Sequence, residues 1–157
     1  LRNLWLMLPF VRTPKELLAA KKLIASVGLL RSPSFKLWLM VEIPSNVILL
    51  EDFLNVGIDG VSIGSNDLTM LIMGIDRDNA EIAQGFNEED PSVLWAIEKV
   101  VKTCLKSKVT CSLCGQAASD YPKLVKNLVK WRITSVSVNI DAVSKTREII
   151  YEEEQKR

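Results

Sequence analysis

The sequence contains no histidine and only three cysteines, Cys104, Cys111 and Cys114, in 157 residues. A small, odd number of thiols argues against a disulfide framework. Cys111-x-x-Cys114 has the spacing of half a zinc site, but no histidine and no second cysteine pair exist to complete one. An excess of one charge is also missing. Twenty Lys and Arg against nineteen Asp and Glu leave a net charge of +1, so there is no strong pull toward nucleic acid or an acidic membrane surface. Neither is expected as a partner. No segment approaches the roughly 18–20 uninterrupted apolar residues of a membrane span. The opening apolar run at 4–8, stopped by Pro9, is too short for a signal peptide and lacks a small-residue cleavage site. The expected location is the cytoplasm. The sequence starts with Leu, almost directly on a strand-like run, which suggests that the natural polypeptide begins earlier.

What is present is a soluble-looking chain, 48% hydrophobic and 25% charged, with enough apolar material for a sizeable core in one domain or part of one. Short apolar runs alternate with amphipathic stretches. Residues 4–8 read as a strand. Thr13 and Pro14 then open a helix that Gly28 ends. A second strand at 37–41 stops at Glu42-Ile43-Pro44, and Ser45 is expected to cap a helix reaching about Phe53. Gly60-Val61-Ser62-Ile63-Gly64 is a third strand, followed by a short helix or turn at 66–73 and a polar loop at 76–90. Pro91 opens a long helix to about Lys106. A fourth strand at 109–113, a helix starting at 119–122, a fifth strand at 135–138 and a last helix from Asp141 to about Glu154 complete the chain. Five strands alternating with helices predict an α/β fold with a parallel sheet. An eight-stranded βα barrel takes about 200–250 residues. The chain is therefore either a small open sheet or about five-eighths of a barrel.

In such folds functional side chains gather just past the C-terminal ends of strands. Glu42 and Asp67 stand at two such ends. Two carboxylates at one mouth repel unless a cation or proton lies between them, and oxygen ligands of this kind suit Mg²⁺. The plainer alternatives are a loop acid at Glu42 and a helix cap at Asp67. Gly64-Ser65-Asn66-Asp67 forms a turn at a helix start, where free backbone N–H groups can hold an anion; a simple capped turn explains it equally. Arg77, between Asp76 and Asp78, could clamp a phosphate or be a surface ion pair. Cys114, at the end of the fourth strand and before Gly115, is placed for proton exchange. Cys111 falls on the opposite face of that strand, and Cys104 on an apolar helix face, so packing is expected of both. The four tryptophans, Trp5, Trp38, Trp95 and Trp131, are expected to pack.

These residues sit inside longer runs: 7–13 MLPFVRT, 40–46 MVEIPSN, 62–69 SIGSNDLT, 74–78 GIDRD and 114–122 CGQAASDYP. In this order and spacing they resemble the phosphoenolpyruvate-utilising enzymes, and among them the phosphoenolpyruvate synthases (pyruvate, water dikinases). The pyruvate, phosphate dikinases and enzyme I of the sugar phosphotransferase system are related. The resemblance covers nearly the whole chain and implies a partial (β/α)8 barrel, about its last five βα units, with residues 1–157 forming the C-terminal part of the pyruvate/phosphoenolpyruvate-binding domain. It implies Glu42 and Asp67 as Mg²⁺ ligands. It further implies Glu42, Gly64, Ser65, Asn66 and Asp67 as contacts to the three-carbon substrate, Arg77 as a phosphoryl contact, and Cys114 as the acid that exchanges a proton with the substrate carbon. The phosphoryl group would arrive from a phosphohistidine, charged from ATP, and a chain without histidine cannot carry that group. The implied partners are therefore the ATP-binding and phosphohistidine domains of a parent chain, with a homo-oligomer as the expected assembly. Met70 and Ile72 stand where the family usually has Gln and Thr, Ser112 where it has Gly, and Ala118 where it has Pro. A reading from another class is a catalytically incomplete paralogue that serves as an interaction module through an exposed edge strand beside Trp5 and Leu6.

Overall fold

The computed structural model describes residues 3–76, 79 and 85–156. Five strands, β1 (Leu4–Leu8), β2 (Phe35–Val41), β3 (Gly60–Gly64), β4 (Thr110–Cys114) and β5 (Ser135–Val136), form one sheet in the order β1-β2-β3-β4-β5, every pair parallel. Parallel neighbours need crossovers. These are supplied by α1 (Pro14–Ser26), α2 (Pro44–Ile48), α3 (Leu50–Asn55), α4 (Ser65–Met73), α5 (Pro91–Ser107), α6 (Ala117–Asp120) and α7 (Pro122–Trp131), while α8 (Val143–Glu154) follows β5. Sequential strands lying side by side, each followed by helix, give the architecture of a βα barrel in part.

Side-chain alternation splits the sheet into two unlike faces. Leu37, Leu39, Val41, Val61, Ile63, Cys111 and Leu113 are all buried and belong to one hydrophobic cluster. That cluster continues into α1, α3, α4, α5 and α7 through Leu17, Phe53, Leu68, Ile97, Val100, Leu124 and Leu128, each fully enclosed. The opposite face carries Trp5, Met7, Trp38, Met40, Ser62, Ser112 and Cys114 around a cavity of about 430 Å³. Here β3 contributes only Gly60, Ser62 and Gly64. Neighbouring strands are about 4.8 Å apart, so β2 and β4 stand roughly 9.6 Å from each other, and the small residues of β3 let the large side chains of β2 lie across it. A Cβ on Gly60 would come within 2.5 Å of the Trp38 ring. Trp38 in turn stacks on Trp5, with ring centroids 5.3 Å apart.

Most expected elements form, with differences at their ends. Thr13 caps α1, its hydroxyl accepting from Glu16 N–H at 3.1 Å. Ser45 does not cap the next helix. Pro44 is already its first residue, and the Ser45 hydroxyl donates instead to the Arg12 carbonyl at 2.9 Å. The stretch expected as one helix to Phe53 is two, broken at Leu49, where φ −104 and ψ 25 leave the helical region. Tyr121 similarly divides α6 from α7, because the residue before Pro122 is pushed to extended backbone. The fifth strand is shorter than expected and pairs through Ser135 and Val136 alone.

Candidate functional site at the strand C-termini

The site grows from the exits of β2, β3 and β4. Glu42 follows β2 directly and is 4% exposed. Its Oε1 accepts from the Phe10 N–H at 2.7 Å, across from the exit of β1. Phe10 has φ +51. The other non-glycine residues in the left-handed region among the described residues, Lys108 and Arg132, end helices; Phe10 does not, and its turned backbone is what aims the N–H at the carboxylate. Glu42 Oε2 lies over Gly64, where a Cβ would stand 3.1 Å from it. Burial pushes the Glu42 carboxyl above its ordinary range. The Phe10 N–H partly opposes this, and the negative charge of Asp67 pushes it up further.

Gly64 is the N-cap of α4, with Ser65, Asn66 and Asp67 in its first turn. Gly64 has no side chain, so the start of α4 carries no side-chain cap. Ser65 and Thr69 are fully buried, and their hydroxyls have no hydrogen-bond partner among the described residues. Asp67 is half-buried. Gly115 brings β4 against this turn: its φ is +101, and a Cβ there would collide with Ser65 Oγ and lie 3.3 Å from Asn66 Oδ1. Cys114 is paired with Gly64 in the ladder, one residue before the Gly115 contact with the α4 turn, and β3 lies between it and the β2 exit that carries Glu42.

The Cys114 thiol points into the cavity of the open sheet face. It donates to the Ile63 carbonyl at 3.4 Å and lies 3.6 Å from Met40 Sδ on β2. The other two thiols are unlike it. Cys104 and Cys111 are buried on the helical side, and the neighbouring Cys104 together with burial pushes the Cys111 thiol up. They pack, as expected from their faces.

The structure thus gathers Glu42, Gly64, Ser65, Asn66, Asp67 and Cys114 at one end of the sheet. Arg77 lies outside the described residues. Among the described residues no group of three or more His, Cys, Asp or Glu side chains could hold a metal ion. A pair of carboxylates is nevertheless what Mg²⁺ uses when substrate and water complete its shell. The Asp67 charge that raises the Glu42 carboxyl is a repulsion that a cation between them would relieve. The donor set therefore fits Mg²⁺. Sequence reasoning gave no role to Phe10, Met40 or Asn46. Phe10 acts through its backbone, which no residue type announces. Met40 reaches Cys114 only because β3 is small. Asn46 lay inside the 40–46 motif, and its full burial was the missing signal.

A fold of consecutive βα units with its polar groups at the strand C-termini belongs with the barrel enzymes. More particularly, the chain belongs to the phosphoenolpyruvate-utilising enzymes: residues 1–155 match the model of that family's phosphoenolpyruvate-binding domain. It is 48% identical over 149 residues to the phosphoenolpyruvate synthase of Aeropyrum pernix, covering 94% of this chain and 18% of that protein. It is 47% identical over 158 residues to the probable phosphoenolpyruvate synthase of Staphylothermus marinus, covering 99% and 19%. The phosphoenolpyruvate synthase of Helicobacter pylori is 40% identical over 147 residues, covering 93% and 18%. The chain spans about a fifth of the length of these relatives. No helix among the described residues is long and apolar enough to cross a membrane.

Proposed function

We propose that this chain supplies the pyruvate/phosphoenolpyruvate site of a phosphoenolpyruvate synthase, the part of the reaction in which a proton moves at the three-carbon substrate. The single observation that carries this reading is the meeting, at one sheet end, of a paired set of carboxylates (Glu42, Asp67), a helix start without a side-chain cap (64–67) and the Cys114 thiol.

Glu42 and Asp67 would hold Mg²⁺, which when bound stabilises negative charge developing on the substrate oxygens. The N–H groups at the start of α4 orient a carboxylate. Glu42 keeps one oxygen on the Phe10 N–H and offers the other toward Gly64 and α4. Cys114 faces a cavity walled by Met40, Trp38 and Trp5. As a thiolate it takes a proton from the substrate methyl group, and as a thiol it returns one to the methylene carbon. The apolar wall limits water at that carbon. The phosphoryl group accepted by the substrate oxygen comes from a phosphohistidine on another domain, since this chain has no histidine.

Isothermal titration with Mg²⁺ and oxalate, a stand-in for the enolate of pyruvate, tests the assignment. Asp67→Ala is expected to weaken Mg²⁺-dependent oxalate binding at least about 10-fold. Equal binding by the wild type and Asp67→Ala would remove the metal from this site.

A further inference from the structure

Beyond the last ladder pair of β1 and β2, Leu8 with Leu39, no rung joins these two strand exits to each other, although β2 still pairs with β3 as far as Val41. Yet Phe10 and Glu42 must meet there for Oε1 to be occupied and Oε2 to face Gly64. One side chain spans the gap. Asn46 is completely buried. Its Nδ2 donates to the Val11 carbonyl at 2.7 Å. Its Oδ1 accepts from Glu42 N–H at 3.3 Å and from Ile43 N–H at 3.4 Å. Its amide thus bonds to backbone on both sides of the Phe10–Glu42 contact, standing in for the missing rungs. The Ser45 hydroxyl adds an outer tether to the Arg12 carbonyl at 2.9 Å.

We propose that Asn46 is a positioning residue: by joining Val11 to the Glu42–Ile43 backbone it holds the Phe10 N–H against Glu42 Oε1, and so determines that Oε2 is the oxygen presented at the mouth. Asn is suited to this because one amide group donates in one direction and accepts twice in the other. An Asp here would place an acceptor against the Val11 carbonyl, and an Ala would leave three buried backbone groups unpaired. The backbone at Phe10, held at φ +51 by this clasp, is strain of the kind retained where surroundings over-determine it. The metal consequence rests on the Mg²⁺ reading above; the positional one does not.

The test uses the 157-residue chain labelled with ¹⁵N-phenylalanine, which gives four amide signals, with Phe10 assigned through Phe10→Leu. Two readouts are taken for Asn46→Ala: the hydrogen-exchange rate of the Phe10 amide, and the affinity for Mg²⁺ alone by calorimetry. The expected result is Phe10 exchange at least about 10-fold faster, with Mg²⁺ bound about 10-fold more weakly. Asp59→Asn, a lesion at the other end of the sheet, separates position from stability. It lowers the melting temperature but is expected to leave both readouts within twofold of wild type. Should Asn46→Ala fail to fold, Asn46→Ser, too short to reach Val11, carries the same readouts. Phe10 exchange within twofold of wild type in the folded variant overturns the proposal, and so does an equal change in Asp59→Asn. If the wild type binds no Mg²⁺, the metal reading falls, and Phe10 exchange alone decides whether Asn46 positions Glu42.

Discussion

Replacing Gly115 by alanine tests how closely β4 must approach the start of α4. Two costs add. The backbone at φ +101 is open to glycine and strained for any other residue, which is worth about 1–3 kcal/mol. The new methyl group would also collide with Ser65 Oγ and press on Asn66 Oδ1; Ser65 is fully buried and has nowhere to retreat, and overpacking of this kind costs about 1–3 kcal/mol. The sum, about 2–6 kcal/mol, corresponds to a drop in melting temperature of roughly 5–20 °C for a chain of this size. Gly74→Ala is the control, because Gly74 also has positive φ, +64, but no atom of the described residues within 4 Å of its Cβ position; it carries the strain of about 1–2 kcal/mol. The assay is thermal unfolding by circular dichroism. A double-mutant cycle then isolates the collision. Ser65→Ala alone is expected to be nearly neutral, because its hydroxyl has no partner among the described residues to lose, and adding it to Gly115→Ala should restore about 1–3 kcal/mol. The reasoning is refuted if Gly115→Ala melts no lower than Gly74→Ala, or if removing Ser65 Oγ restores nothing.

Glu42→Gln is expected to raise the metal-free melting temperature at neutral pH. The folded-state carboxyl is raised, so its favourable contribution is fully present below the unfolded pKa and is lost as pH rises through the folded one; the gain from Gln should shrink toward zero in acid, and a gain independent of pH would contradict the burial argument. Asp59→Asn is expected to destabilise by about 1–3 kcal/mol, because Asp59 accepts from Leu37 N–H at 2.9 Å and pairs with Arg31 at 2.8 Å. Arg31 holds the Asp59 carboxyl below its ordinary range, so this contribution is present above the unfolded pKa and lost as pH falls through the folded one; denaturant melts of wild type and Asp59→Asn should converge in acid.

The alternation of apolar runs with capped amphipathic stretches was enough to place all five strands and the parallel α/β class. Period and caps are local properties that burial in any tertiary setting preserves. Element ends were less legible. The late start of β4 depends on which residues the neighbouring strand pairs with, and no nearby residue encodes that. Glu42, Asp67 and Cys114 could be picked out because polar residues at the ends of apolar runs are conspicuous. The order of five motifs, not any single spacing, pointed to the family that the whole-chain match then showed.

Tertiary structure alone decided how those residues relate. Gly60, Ser62 and Gly64 read in sequence as an ordinary small-residue strand. Only the order β2-β3-β4 makes them a floor low enough for Met40 to reach Cys114 and for Glu42 to lie over Gly64. Asn46 is one more polar residue in a helix until the fold encloses it between two strand exits. The sequence by itself determined which groups stand at the mouth. Their orientation, the oxygen of Glu42 that is free and the face that Cys114 shares came from contacts between residues 32 to 74 positions apart, which no local pattern can carry.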